Sequence, residues 1–216
     1  MLAGVNGAGK SSVVGASVRA KGGDYYNPDE AAKSICAVNP GMSPAEANGA
    51  AWRVGTRLLQ RATSEGRDFT IETTLGGNTI TRLLKVAMDA GVDVHGVYVG
   101  LQSPELHIAR VRARVALGGH DIPAQKIRKR YDTSRQHLIE ILPRLASLDV
   151  YDNSVETPPE QEPPLLVPVL RMEDGVIVEM QAPTSVPEWA KPIVMAAIKI
   201  QRDFAEQQDD PPRHSR

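Results

Sequence analysis

The chain has 216 residues, 41% of them hydrophobic, and a formal net charge of −1. This length suits one α/β domain with a sizeable core, and the balanced charge provides no field that would recruit nucleic acid or an anionic membrane surface. The single cysteine excludes an internal disulfide framework, and no signal-peptide or membrane-spanning run is present, so we expect a cytoplasmic protein.

The first element is a phosphate-binding loop, GVNGAGKS at residues 4–11, which fits the pattern GxxxxGK(S/T). Its glycines allow backbone N–H groups to surround phosphate oxygens at the N-terminus of a helix. We expect Lys10 to reach the β- and γ-phosphates of ATP and Ser11 to place its hydroxyl on Mg²⁺. The residues predicted to bind nucleotide in this segment are Gly4, Asn6, Gly7, Ala8, Gly9, Lys10, Ser11 and Ser12.

The strand that should precede this loop is short, because Met1–Ala3 supply only three residues and a central strand needs about five. Either the natural start lies upstream, or the central strand is shortened and the protein is less stable. We expect the first.

Strand-like and helix-like segments then alternate, which predicts a mainly parallel sheet flanked by helices. Strands are expected at 22–27, 68–74, 92–101 and 148–154. Helices are expected from Pro28, from Pro44 behind a capping box at Ser43, from Thr79 to Ala90, from Pro104 to the Gly118-Gly119 pair, and after Pro123.

The composition changes after residue 155. Residues 156–164 are expected to form a proline-rich connection, and 165–180 to form a hairpin that turns at Glu173-Asp174-Gly175. A helix from Pro187 to about Phe204 would complete a unit packed on the core at 1–155. Residues 205–216 are expected to be a disordered tail.

Six stretches, in chain order, carry a resemblance to a known family: GVNGAGKS, YYNPDEAA, FTIETTLGG, VYVGLQSPELHIARVRARVALGGHDIP, IRKRYDTS and VYDNS. Over about residues 1–155 the chain resembles the zeta-toxin-like P-loop kinases, in particular their small bacterial branch. The resemblance implies a kinase-like sheet with a basic helical lid at about 104–135. Zeta toxins phosphorylate the 3′-hydroxyl of UDP-N-acetylglucosamine and are restrained by an antitoxin. No antitoxin helix bundle is recognisable in this sequence, so a separately encoded antitoxin stays open.

Asp29 is the predicted catalytic base, because it follows the second strand at the sheet edge where such folds bind ligands. The resemblance supports this role, since the family's catalytic Asp lies in the same N-x-D motif. The alternative is that Asp29 only stabilises the start of a helix.

Glu72, at the end of the third strand, is an awkward residue for a buried parallel sheet. It could hold hydroxyls of the substrate or act through Mg²⁺-bound water, and the resemblance implies contact with a sugar substrate. Thr73 and Thr74 offer hydroxyls beside it, or are ordinary strand residues.

The predicted lid is basic: between Glu105 and Arg135 there are eight Lys or Arg and three acidic residues. A solvated helical face is the alternative reading. Arg110 and Arg114 are helical neighbours, and the resemblance implies that lid arginines stabilise the transition-state charge. We predict Arg114 together with Arg128 or Arg130 in that role, and Arg110 at the nucleotide.

His120 and Asn153 complete the predicted site. His120 lies beside the glycine pair and would contact either substrate phosphate or nearby backbone. Asn153 follows the fifth strand, where related kinases pass the adenine, and a turn-forming role is equally open.

The main functional hypothesis is an ATP- and Mg²⁺-dependent kinase that acts on a small-molecule hydroxyl, with UDP-N-acetylglucosamine as the specific guess. The alternative is a regulatory ATPase without a phosphoryl acceptor. A nucleic-acid-processing ATPase is disfavoured, because only 4% of the residues are aromatic and stacking platforms are scarce.

Overall fold

A computed structural model describes residues 1–20, 24–155 and 166–209. The described residues form one sheet in the order β2-β3-β1-β4-β5-β6-β7. The strands are β1 Leu2–Ala3, β2 Tyr25–Tyr26, β3 Thr70–Thr73, β4 His95–Gly100, β5 Ser147–Asp152, β6 Val167–Glu173 and β7 Val176–Met180.

Helices connect and flank these strands. They are α1 Ala16–Ala20, α2 Pro28–Val38, α3 Pro44–Glu65, α4 Asn78–Asp89, α5 Pro104–Ala116, α6 Ala124–Ile141 and α7 Lys191–Asp209. A π-helical turn over Ser11–Gly15 leads into α1, and a 3₁₀ turn over Leu142–Arg144 follows α6.

The two-residue strand β1 lies in the middle of the sheet and pairs in parallel with both neighbours. Leu2 lies opposite Glu72 of β3 and opposite Val97 of β4. Strands β1 to β5 are parallel, whereas β6 and β7 are antiparallel. The predicted α/β architecture, a parallel sheet flanked by helices with a C-terminal hairpin and helix, is confirmed. Because the phosphate loop directly follows β1, it starts at the carboxyl edge of the parallel sheet.

The ends of α3 follow from local chemistry. The Ser43 hydroxyl accepts a hydrogen bond from the Glu46 N–H, and the Glu46 carboxylate accepts one from the Ser43 N–H. This is the predicted capping box. At the other end, Gly66 takes a left-handed conformation with φ of 63° and closes the helix.

The main core lies between the sheet and α4, α6 and α7. Its fully buried members include Tyr98, Leu138, Ile141, Leu148 and Ile193. A smaller core of Val5, Ile108, Val111 and Ile127 joins the phosphate loop to α5 and α6. The predicted lid region is therefore anchored: α6 continues past residue 135 and buries its second half in the main core.

The last helix differs from the sequence prediction at both ends. It begins at Lys191, because residues 187–190 form a turn in which the Ala190 N–H bonds to the Pro187 carbonyl at 2.9 Å. It ends at Asp209 rather than Phe204, since Ala, Glu and Gln are good helix formers. The expectation of a disordered tail is therefore wrong for 205–209. The expectations for 22–23, 156–164 and 210–216 lie outside the described residues.

In the part of the chain that the structure describes, no helix is both long enough and apolar enough to cross a membrane.

Candidate active site

The loop between β1 and the first helix depends on its glycines. Gly4, Gly7 and Gly9 have φ values of 139°, 85° and 90°. A Cβ on Gly4 would lie 2.2 Å from the Val99 carbonyl oxygen, and one on Gly9 would lie 2.6 Å from the Asn153 amide nitrogen. The loop thus lies against the ends of β4 and β5 in a conformation that side chains would prevent.

Lys10 and Ser11 converge on one carboxylate, that of Glu72. Lys10 is 6% exposed, and its Nζ lies 3.6 Å from Glu72 Oε1 and 3.4 Å from the Val5 carbonyl oxygen. Burial lowers the pKa of the Lys10 amine, and the carboxylates of Glu72 and Asp29 oppose this shift. The Ser11 hydroxyl lies within 3.0 Å of both Glu72 oxygens. Ser12, by contrast, donates to the Gly9 carbonyl at 3.0 Å.

Two further donors complete the surroundings of Glu72, which is 8% exposed. The Tyr25 hydroxyl donates to Oε2 at 2.5 Å, and the Asn27 amide donates to the same oxygen at 3.2 Å. A buried carboxylate needs such donors to offset its loss of water. Glu72 is therefore fixed beside the phosphate loop, at its serine and lysine.

Asp29 is positioned by the cap of α2. The Asn27 side-chain oxygen accepts the N–H groups of Asp29 at 2.9 Å and Glu30 at 3.4 Å. Asp29 therefore sits in the first helical turn, with its side chain 40% exposed and 3.9 Å from Arg114 Nη1. Because Asn27 also contacts Ser11 and Glu72, it links the Asp29 helix to the phosphate loop.

A cavity of about 430 Å³ opens beside these groups. Lys10, Asp29, Glu72 and Arg130 all lie on its wall. Its other lining residues include Asn6, Asn48, Trp52, Thr73, Thr74, Gly76, His120, Asp121 and Lys126. The phosphate loop, the capped start of α2, the end of β3 and the basic helix α6 therefore all border the same cavity.

The segment after β3 is strained at the cavity wall. Leu75 is 1% exposed and has a φ of 47°, which is uncommon for a branched side chain. The Thr73 and Thr74 hydroxyls accept hydrogen bonds from the N–H groups of Leu75 at 3.1 Å and Gly76 at 3.3 Å. Both threonines therefore stabilise this turn as well as lining the cavity.

The three predicted lid arginines lie in different places. Arg130 lines the cavity and donates to the Asn6 side-chain oxygen at 2.7 Å, and burial lowers its pKa while Asp29 opposes this. Arg114 lies beside Asp29 and donates to the His120 carbonyl at 3.0 Å. Arg128 instead pairs with Glu105 at 3.4 Å, with its side chain 55% exposed, and the structure does not bring it to the cavity.

His120 lies on the cavity wall opposite α3. Its Nε2 lies 3.2 Å from the Asn48 side-chain nitrogen. A Cβ on Gly119 would lie 2.7 Å from the Arg114 carbonyl oxygen, so the glycine pair folds the loop back against the end of α5. This close approach brings His120 over the cavity.

The remaining predicted nucleotide residues lie on the far side of the loop. Asn153 is 4% exposed and donates to the Ala8 carbonyl at 2.9 Å, while its own side-chain oxygen is buried without a hydrogen-bond partner. Arg110 lies 3.4 Å from the Val155 carbonyl oxygen. Both residues therefore contact segments that adjoin the loop rather than the cavity.

Tyr25, Asn48 and Trp52 lie near the site but were not predicted from the sequence, and Lys126 was counted only as part of the basic lid. Asn48 and Trp52 are four apart on α3 and so share a helical face, as do Lys126 and Arg130 on α6. This spacing was visible in the sequence, but nothing local showed that these faces meet the cavity.

Comparison with known proteins agrees with this geometry. Residues 1–138 match the model of the AAA domain family AAA_33, and the chain belongs to this family of P-loop domains. It is 33% identical over 132 residues to an uncharacterized protein of Haemophilus influenzae, an alignment that covers 59% of this chain and 88% of that protein.

Two solved structures share the fold. A chain from the crystal structure of AvrRxo1-ORF1:-ORF2 with ATP gives a TM-score of 0.61 at 17% identity, covering 91% of this chain; the match spans only 62% of that chain's length. A chain from the PezAT chromosomal toxin-antitoxin system of Streptococcus pneumoniae gives 0.51 at 16% identity, covering 95% of this chain and 86% of that one. The resemblance to zeta-toxin-like P-loop kinases is thus confirmed at the level of the fold.

Proposed function

We propose that this protein is a kinase that transfers the γ-phosphoryl group of ATP to a hydroxyl of a small molecule held in the cavity. One observation carries the proposal: Lys10 of the phosphate loop, the carboxylates of Asp29 and Glu72, and the guanidinium of Arg130 all face the same 430 Å³ space. Phosphoryl transfer needs such an arrangement, because it depends on positioning and on neutralising charge.

The residues present fit ATP and Mg²⁺. The loop glycines take positive φ values, as backbone that surrounds a phosphate requires, and Lys10 is buried at the end of the loop. The Ser11 hydroxyl and the Glu72 carboxylate supply oxygen donors, which Mg²⁺ prefers. When bound, Mg²⁺ would neutralise charge on the β- and γ-phosphates. The burial of Glu72 between Ser11 and Lys10 favours its metal-side role over direct contact with substrate hydroxyls.

Asp29 is the proposed base, which would align the acceptor hydroxyl and accept its proton. It is exposed enough to meet a substrate, and the Arg114 guanidinium lies 3.9 Å from its carboxylate. Its place in the first turn of α2 puts it on the wall of the cavity that Lys10 also lines. Asn27 fixes that turn.

Arg114 and Arg130 are the proposed cations for the charge that develops during transfer. Arg130 already reaches the phosphate loop through Asn6, so a short movement would bring its guanidinium to a γ-phosphate. Arg128 is supported less well, because it pairs with Glu105 on the outer surface.

The acceptor would lie between α3 and the end of β3. Trp52 offers a flat apolar surface there, and Asn48, His120, Thr73 and Thr74 offer hydrogen-bonding groups. The specific acceptor that we propose is the 3′-hydroxyl of UDP-N-acetylglucosamine. Its support is the resemblance to zeta toxins, together with a cavity that combines an aromatic wall with polar groups.

A separately encoded protein antitoxin is the proposed partner. The supporting observation is that PezAT is a toxin-antitoxin system and that AvrRxo1-ORF1 crystallised with ORF2.

A mass-spectrometric screen tests the proposal. The purified protein is incubated with ATP, Mg²⁺ and a pool of sugar nucleotides, dinucleotides and nucleosides, with Lys10→Ala as the control. We expect an acceptor that gains the mass of one phosphoryl group in the wild type only. ATP hydrolysis with every pooled acceptor unchanged would instead favour a regulatory ATPase.

A further inference from the structure

The strand β2 contributes a side chain to the site that the proposed mechanism has not used. Tyr25 pairs in register with Thr70 of β3, so Glu72, two residues further along β3, points to the same face of the sheet. The Tyr25 hydroxyl reaches Glu72 Oε2 at 2.5 Å, a shorter contact than those of Ser11 and Asn27 with the same carboxylate.

The π-helical turn and α1 accommodate the Tyr25 side chain. A Cβ on Gly15 would lie 2.6 Å from the Tyr25 hydroxyl oxygen, so the glycine leaves the room that the hydroxyl occupies. On the ring face, the Arg19 guanidinium lies 4.9 Å from the ring centroid and also donates to the Ser11 carbonyl at 3.2 Å. The Tyr25 side chain therefore packs between α1 and β3.

The phenol is the donor in this contact, and the Glu72 carboxylate accepts the hydrogen bond.

We propose that Tyr25 is a positioning residue that holds the Glu72 carboxylate against the Ser11 hydroxyl, so that the two oxygen donors are already arranged when the nucleotide arrives with Mg²⁺. This inference rests on the proposed function, because it assigns Glu72 to the metal side of the site. The hydroxyl itself touches neither nucleotide nor acceptor in this role. It sets the orientation of the group that does.

The test compares Tyr25→Phe with Tyr26→Phe. Tyr26 is the matched control, because its hydroxyl also makes a 2.5 Å hydrogen bond, but to the Ala51 carbonyl. Calorimetry measures ATP affinity with Mg²⁺ and with EDTA, which isolates the gain in affinity due to the metal without requiring turnover. We expect Tyr25→Phe to reduce that gain roughly tenfold, as removal of partners of metal-binding groups commonly does. Tyr26→Phe should leave it within about twofold.

A second pair of variants allows the affinity measurement to be interpreted even if Tyr25→Phe is less stable than the wild type. Glu72→Gln should reduce the gain at least as much, and adding Tyr25→Phe to it should cause no further loss, because the tyrosine acts through the carboxylate. An undiminished gain in Tyr25→Phe, or an additive loss in the double variant, would overturn this inference alone. If Mg²⁺ did not improve ATP binding to the wild type, both the inference and the proposed metal side of the site would fall.

Discussion

Trp52 is the residue whose proposed role in acceptor binding can be tested most directly. It is 46% exposed on the cavity wall, whereas Trp189, the second of the two tryptophans in the sequence, is 3% exposed. We expect an acceptor to change the fluorescence of Trp52, because the ligand would replace water against the indole ring. A fluorescence titration of Trp189→Phe should keep this change, and one of Trp52→Phe should lose it. A signal that survives in Trp52→Phe would place the acceptor elsewhere.

At the same scale, the choice between Arg128 and Arg130 shows a limit of sequence reasoning. The sequence predicted that one of them serves the site but left the choice open. Residues two apart on a helix point about 200° apart, so only one can face a given cavity. The face is set by Ile127, which is fully buried in the small core under α5 and α6. Ile127 packs against residues of α5 and the phosphate loop, which are distant in the sequence, so no local sequence pattern reveals this contact.

Two helix starts, by contrast, could be predicted from the sequence. The capping box at Ser43 was predicted correctly, because it depends on residues within three positions of one another. The start of α2 at Pro28 was predicted for the same reason. The face of α3 that carries Asn48 and Trp52 was missed, since only the tertiary fold brings it to the cavity and to His120.

The helix α5 contacts the phosphate loop through a buried histidine. His107 is 1% exposed, and its Nδ1 lies 2.9 Å from the Asn6 carbonyl oxygen. Burial lowers the pKa of His107 to about 4, from an ordinary value of 6.5, despite this hydrogen bond. Between these values the unfolded chain binds the extra proton and the folded chain does not. The free energy of unfolding should therefore fall as the pH drops from about 6.5, by roughly 3 kcal/mol at pH 4.

Denaturant titrations of the wild type and His107→Asn, carried out from pH 7 to pH 4, would measure this effect. Asparagine keeps a side-chain donor but does not titrate, so the difference in unfolding free energy should shift by roughly 3 kcal/mol across the range. Parallel curves for the two proteins would show that His107 does not couple protonation to folding.

At the scale of the whole molecule, the C-terminal unit belongs to the main core. Ile193 of α7 is fully buried with Val169 and Leu170 of β6, whereas Met195 on the same helix is 66% exposed. Ile193→Ala should lower the unfolding free energy by about 2–5 kcal/mol through lost burial and a cavity, and Met195→Ala should change it by less than about 0.5 kcal/mol. Equal effects in chemical denaturation would contradict the packing of α7 described above.

The central claim is the proposal that the protein transfers a phosphoryl group to an acceptor and does not simply hydrolyse ATP; the cavity shared by Lys10, Asp29, Glu72 and Arg130 supports it. Asp29→Asn tests this claim most directly, because it removes the proposed base and keeps the shape of the side chain. We measure ATP affinity and the rate of phosphorylated-acceptor formation for this variant and the wild type. The mechanism predicts ATP affinity within about twofold and a fall in transfer of roughly 10²–10⁴-fold. Transfer at the wild-type rate would contradict the assignment of Asp29, and ATP turnover independent of both Asp29 and any acceptor would contradict the kinase itself.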